Sequence, residues 1–305
     1  MNNIGYLEKK IVEAKAIIQQ QINSDDFFDN LCNRSMQSHI EDMESQLYQA
    51  KQLREKEVIE ARLIGKLANH GTLPLDLHSK LAKYLSNTLL ALSQRLEKGK
   101  DALRGFSKDI TQTVNFRSAA MGAGSTRLYL TTDTNPDLFG RSLSSDSLEA
   151  LFEFLHKANK NQDELLDMIA FVGVRCVNEL AKLLHELHKN ELALDLRWRS
   201  PNNTEHFWQG DDAIIDTLIK LISSVHTIQG QPIQLQGTIG ELSDKGKIEL
   251  YIDGVKTRFT YPRNMIEQIR MLHIGESINI LASQTTHRNK ITNQEKTHLE
   301  LLSIN

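Results

Sequence analysis

Asp253-Gly254 narrows what this chain can fold into more than any other pair of residues. Alternating apolar positions precede it (Ile248, Leu250, Ile252) and follow it (Val255, Phe259, Tyr261). Asp-Gly between two such runs predicts a two-residue type I′ turn, whose twist suits the strands on either side. A further alternating run, Ile233, Leu235 and Ile239, comes before the hairpin. After it, Pro262 and Asn264 open a short helix with Met265, Ile266, Ile269 and Leu272, which Gly275 ends. Strands over 277–284 and 296–304 complete a β-β-β-α-β-β order. That order predicts a small five-stranded OB-like barrel over residues 229–305, with an SH3-like barrel carrying an inserted turn of helix as the competing topology.

The hairpin also sets a register. With Ile252 opposite Val255, Tyr251 stands opposite Lys256, Glu249 opposite Arg258 and Lys247 opposite Thr260. Tyr251, Lys256 and Arg258 then make a stacking and phosphate-contact platform on the face through which OB barrels bind. Arg288 and Lys290, beside His287, join them from the loop between the last two strands. These five residues are the candidate nucleic-acid contacts. Against them, Glu249 is placed to neutralise Arg258, an ordinary way to finish a sheet. Acids nearly cancel bases over the barrel, and the whole chain has a net charge of −3 and a pI of about 6.4. No global positive field exists to hold a nucleic acid or an anionic membrane, so a protein-interaction barrel is the favoured expectation.

Residues 1–117 read as helices. Ile4, Leu7, Ile11, Ala14 and Ile18 step by three and four, as do Met36, Ile40, Met43, Leu47 and Ala50. Such spacing draws one narrow seam along each helix, and Ser24-Asp25-Asp26 between them offers a break with N-cap residues. The second seam loses phase at Arg54 and Glu57, then resumes at Ala61, Ile64 and Ala68 before Asn69-His70-Gly71. Pro74 opens a third helix with Leu77, Leu81, Leu85, Leu89, Leu92 and Leu96. The expectation is a coiled-coil arm or bundle that holds a protein partner or a second copy of itself.

Residues 118–228 read as a mainly helical α+β domain with a few strands. Ser118–Ser125 is expected to be a flexible connector. Its Gly122-Ala-Gly124-Ser run leads to strand-like text from Arg127 to Thr131, whereas a phosphate loop leads into a helix N-terminus. Asp146 with Glu149 resembles a capping box, and the serines around it lack a nucleophile elbow. One long helix is expected from Asp163 to about Lys189. A strand follows, with Leu192, Leu194, Leu196 and Trp198 inward and Ala193, Asp195, Arg197 and Arg199 outward. Phe207 and Trp208, in an expected loop over 201–210, are the candidate partner anchor or, folded back, a lid on the core. Asp211 or Asp212 caps the next helix. His185, His188 and Glu191 fall three apart near a helix end and are the candidate metal ligands. They form only part of a ligand set, and histidines at a helix C-terminus are favoured electrostatically without any metal.

Two cysteines, Cys32 and Cys176, exclude a disulfide framework by number. No apolar stretch fits a signal peptide or a bilayer-spanning helix, so a cytoplasmic chain with no membrane association and no cofactor is expected. Three classes of function remain. The first is a non-enzymatic assembly or accessory subunit that oligomerises or grips a protein partner through its arm and docks a macromolecule with its barrel. The second is a nucleic-acid-binding accessory protein using the barrel. The third is an enzyme with an unfamiliar site in the middle domain. The long seams, the modular layout and the missing catalytic motif favour the first.

Overall fold

A computed structural model describes residues 3–21, 33, 35–44, 57–69, 71–102, 104–122, 126–132, 142–158, 162–200, 204–243, 246–290 and 292–304. The expectations placed on Ser24-Asp25-Asp26, Cys32, Leu47, Ala50, Arg54 and Gly124 lie outside the described residues. The fold is mixed α+β, with a closed five-stranded barrel in the C-terminal region.

Helix α1 (Asn3–Gln21) and the helical segment α2 (residues 35–44) carry part of the expected stripe, the side chains of Ile4 and Leu7 lying outside the description. Ile11, Ile40 and Met43 are buried together, with Ala14 and Ile18 packed against them. Lys15 Nζ reaches Glu44 at 2.6 Å across the pair.

The continuation of the second helix through Ala61, Ile64 and Ala68 is corrected by the structure: Val58–Ile64 is a strand, β1. The same residues carry both periods. Ile59, Ala61 and Leu63 alternate, and all three are buried. Pairing settles the competition, because β1 is hydrogen-bonded on both sides and its β-branched Val58, Ile59 and Ile64 suit a pleated surface. Ser118–Ser125 is corrected likewise. Most of it belongs to β2 (Phe116–Gly122), which pairs with β3 (Arg127–Thr132). The expected loop 201–210 also yields a strand, β5 (Glu205–Gly210), beside β4 (Ala193–Arg199). The five strands form one antiparallel sheet in the order β2-β3-β1-β4-β5.

Helices cover one face of this sheet. Helix α3 (Leu75–Lys98), read with the arm in the sequence, buries Leu77, Leu81, Leu85, Leu89 and Leu92 in the same core as Ile59, Leu194 and Trp198. It is followed by the short α4 (Lys108–Thr113). Helix α5 (Leu143–Lys157) is capped by Ser142, whose hydroxyl accepts from Ser145 N at 3.0 Å, rather than by Asp146. The single helix expected from Asp163 is two, α6 (Gln162–Val172) and α7 (Val174–Lys189). Gly173 separates them at φ +87°, where any Cβ would collide with Asp101. Asp101 Oδ2 in turn accepts from Arg175 N at 3.2 Å, a carboxylate serving the exposed N–H groups that open α7. Helix α8 (Asp212–Ser224) is capped by Asp211, as expected.

Strand β6 (Val225–Ser243) follows α8 without a linker and enters the barrel with β7 (Lys247–Ile252), β8 (Val255–Thr260), β9 (Ser277–Asn289) and β10 (Glu295–Ile304). A 3-10 turn (Arg263–Met265) and the short α9 (Ile266–Arg270) lie between β8 and β9. The strand order around the barrel is β10-β8-β7-β6-β9, closed through β9–β10. Asp253 and Gly254 have φ of +50° and +79°, as a type I′ turn demands. Ile248, Leu250, Phe259, Ile280 and Leu301 fill the interior. Charged pairs join the barrel to the helix layer: Arg95–Glu300 at 2.8 Å, Arg263–Asp146 at 2.7 Å and Lys296–Asp167 at 2.5 Å. No helix among the described residues is long and apolar enough to cross a membrane.

Candidate functional site

The β7–β8 hairpin has the register read from the sequence, with Tyr251 opposite Lys256, Glu249 opposite Arg258 and Lys247 opposite Thr260. Its consequence is electrostatic closure. Glu249 Oε1 accepts from Arg258 at 2.8 Å and 2.6 Å through two guanidinium nitrogens, and Oε2 pairs with Lys256. Glu241 of β6 lies 3.8 Å from Lys256 Nζ. The hydrogen bonds from Lys256 and Arg258 hold the Glu249 carboxyl down to about 2. Glu249 in return raises the Lys256 ammonium above its ordinary range. Two cations therefore face two carboxylates, and Glu241, Ser243, Lys247, Glu249 and Arg258 line a cleft of about 130 Å³ beside them.

Tyr251 packs against Gly240, where a Cβ would come within 2.6 Å of the ring, and the residue remains 47% exposed. It stands at an apolar end of the barrel. Tyr251 and Ser277 both pair with Thr238 of β6, and Gly275 N donates to Ile239 O at 2.8 Å. The β7–β8 turn and the loop after α9 are thus neighbours on either side of β6. They carry Val255, Met271 and Ile274, exposed by 65, 79 and 69%.

Arg288 and Lys290 stand elsewhere. Arg288 pairs with His226 at the start of β6, twelve residues before Tyr251's partner Thr238, or about 40 Å of strand. Arg288 bonds Asn293 at 3.1 Å and approaches Glu295 at 3.4 Å. The backbone N–H of Lys290 reaches Ser224 O at 2.9 Å. The five candidate contacts therefore fall into two separate groups.

The other candidates resolve into single residues. Trp208 points into the core and is buried, while Phe207, its neighbour on β5, is exposed beneath the Arg197 guanidinium, 5.4 Å from the ring centroid. His185, His188 and Glu191 are all exposed. His188 Nδ1 lies 2.8 Å from Asp212 Oδ1, tying the end of α7 to the start of α8. Glu191 adopts a left-handed φ of +51° beyond the helix end. Among the described residues no three His, Cys, Asp or Glu side chains converge as a metal site.

One polar cluster had no signal in the sequence. Glu57, read as a seam defect, is buried at the N-terminus of α5, where Ser142 Oγ donates to its Oε1 at 2.6 Å and Ser145 Oγ also donates. Burial raises its pKa, and the two hydroxyls oppose that rise. Only folding brings residue 57 to residues 142 and 145. The arrangement completes a helix cap, with a carboxylate at the positive end of the helix dipole. Comparison with protein-family models, with curated proteins and with solved structures finds no match.

Proposed function

We propose that this chain is a non-enzymatic accessory subunit whose barrel docks a protein partner. The observation that carries the reading is the contrast on the barrel surface. Lys256 and Arg258 of the β7–β8 face are already matched by Glu249 and Glu241, while Tyr251, Val255, Met271 and Ile274 stand exposed at one end. Neutralised charge around exposed aromatic and aliphatic side chains is the chemistry of a protein interface. An OB-type assignment of the barrel is supported by the parallel contact between β8 and β10 and by the helix between its third and fourth strands. The N-terminal helices serve as the assembly arm in this reading, with Val12 and Ile17 of α1 exposed beside their small shared core.

The test is purification of the tagged full chain from its host, with and without nuclease, for wild type and for a Met271→Asp, Ile274→Asp variant. A nuclease-resistant protein partner that the variant loses is the expected result. A partner retained equally by both, or a bare chain, overturns the barrel reading. Light scattering checks the arm: a mass that rises with concentration above 34.7 kDa supports self-association, and a strict monomer removes it.

A further inference from the structure

The face of the five-stranded sheet turned away from the helices has a different chemistry from the barrel. Strand register sets three rows of side chains across it. In the middle row, Tyr129 of β3, Glu60 of β1, Arg197 of β4 and Phe207 of β5 stand abreast. On one side lie Arg117 of β2, Thr131, Val58, Arg199 and Glu205. On the other lie Arg127, Arg62, Asp195 and Gln209. Five arginines share this face with three carboxylates, in a chain whose net charge is −3. None of the five strands contains a lysine.

The carboxylates orient the arginines without using up their charge. Arg127 lies 3.1 Å from Glu60 and Arg62 3.8 Å from Asp195, while Glu205 is shared between Arg197 at 3.5 Å and Arg199 at 3.9 Å. The side chains of Arg197 and Arg199 remain 55 and 64% exposed. Exposed pairs such as the two with Glu205 contribute roughly 1 kcal/mol or less, so a phosphate can take over those guanidinium groups at small cost. Guanidinium groups suit that exchange because their planar forks match phosphate oxygens and stack on rings. Tyr129 and Phe207 are three strands apart, about 14 Å at the spacing of a sheet, with Arg197 between them. An exposed Phe207 with the Arg197 guanidinium over its ring, and a half-buried Tyr129 in the same row, suit unstacked bases on a flexible phosphate backbone better than a closed duplex.

We propose that this sheet face binds single-stranded nucleic acid. Phe207 and Tyr129 stack on bases, and Arg197, Arg199, Arg127 and Arg62 contact phosphates. The surface is separate from the apolar end of the barrel, so the two proposals stand or fall independently.

Fluorescence anisotropy of the full chain with labelled oligothymidylate, oligouridylate and a duplex of equal length tests it. Single strands of either sugar should bind in preference to the duplex. Affinity should fall about fiftyfold between roughly 50 and 200 mM salt, the dependence expected for about four neutralised phosphates on a single strand. Arg197→Glu with Arg199→Glu should abolish binding, and Phe207→Ala should weaken it roughly tenfold by removing one stacking platform. These positions are exposed, so thermal melts confirm that each variant is folded. The proposal is overturned by absence of binding at low salt, by preference for the duplex, or by equal competition from polyglutamate. It is equally overturned if Phe207→Ala binds unchanged, or if binding is lost instead in Lys256→Glu with Arg258→Glu on the barrel.

Discussion

Gly99, which ends α3, stands against Glu300 of β10: a Cβ at Gly99 would lie 2.6 Å from Glu300 Oε1 and 2.9 Å from the Pro262 ring. The same Glu300 takes Arg95 of α3 at 2.8 Å. The end of the helix thus meets the barrel through a contact that has room for glycine alone. Gly99→Ala carries two costs, a left-handed φ of +68° and the collision with Glu300 and Pro262. Gly254→Ala, at φ +79° with nothing within 4 Å, carries only the first. Denaturant unfolding should show a loss of about 1 kcal/mol for Gly254→Ala and about 2–3 kcal/mol for Gly99→Ala. Equal losses would mean that the barrel does not seat closely on α3.

His287 gives the same junction a pH dependence. The ring is buried, with Nδ1 2.9 Å from Thr227 Oγ1 and the His298 ring centroid 5.7 Å away. Burial, then His298 and Arg95, hold its pKa down to about 4, from 6.5. Between those values the unfolded chain takes up a proton that the folded one resists. The contribution of the neutral imidazole is therefore complete above about 6.5, falls as pH drops toward 4, and levels off below. His298, also lowered by burial, acts in the same direction. Urea titrations across pH 4–7 should show wild type losing stability toward acid more steeply than His287→Gln. Parallel curves would remove His287 from the account.

The barrel was legible because its signals are local. Asp253-Gly254 sets the turn, the turn sets the register, and the alternation of Ile248, Leu250 and Ile252 sets the buried face. The sheet was not, because Val58–Ile64 satisfies both a helical and a strand period. The choice lies with β3 and β4, some 70 and 135 residues away. Missing β1 hid the face that joins Arg62 and Glu60 to Arg197 and Phe207. Alternation alone marks the outward row of β4, but no sequence pattern says which strands flank it. Gly173 was passed over for a related reason: a lone glycine in a helical pattern is usually tolerated, and only Asp101, packed against it, makes it a break.

The true cap of α5 can be separated from the one the sequence favoured. Ser142 Oγ accepts from Ser145 N and donates to the buried Glu57 carboxylate. Asp146 instead bonds Arg263 at 2.7 Å across the barrel junction, where both side chains are partly exposed. Ser142→Ala should lose about 1–2 kcal/mol, as cap loss beside a buried carboxylate predicts. Asp146→Ala should lose less than about 1 kcal/mol. Thermal unfolding of the two variants decides it, and a larger loss for Asp146→Ala would return the cap to the capping-box position.

Glu249→Gln tests whether the barrel face is silent toward polyanions only because it is neutralised from within. The substitution keeps the shape of the side chain and removes the charge that Lys256 and Arg258 share. Glu241, 3.8 Å from Lys256, is then the remaining carboxylate there. Made in the Arg197→Glu, Arg199→Glu background, the change reads the barrel alone. Binding of oligothymidylate, absent in that background, should appear at low salt and vanish as salt is raised, because released counterions supply it. The partner docked through Met271 and Ile274 should still bind, since neither residue touches the charge cluster in the register of the barrel. Continued absence of binding would show that Lys256 and Arg258 are kept from phosphate by geometry rather than by Glu249.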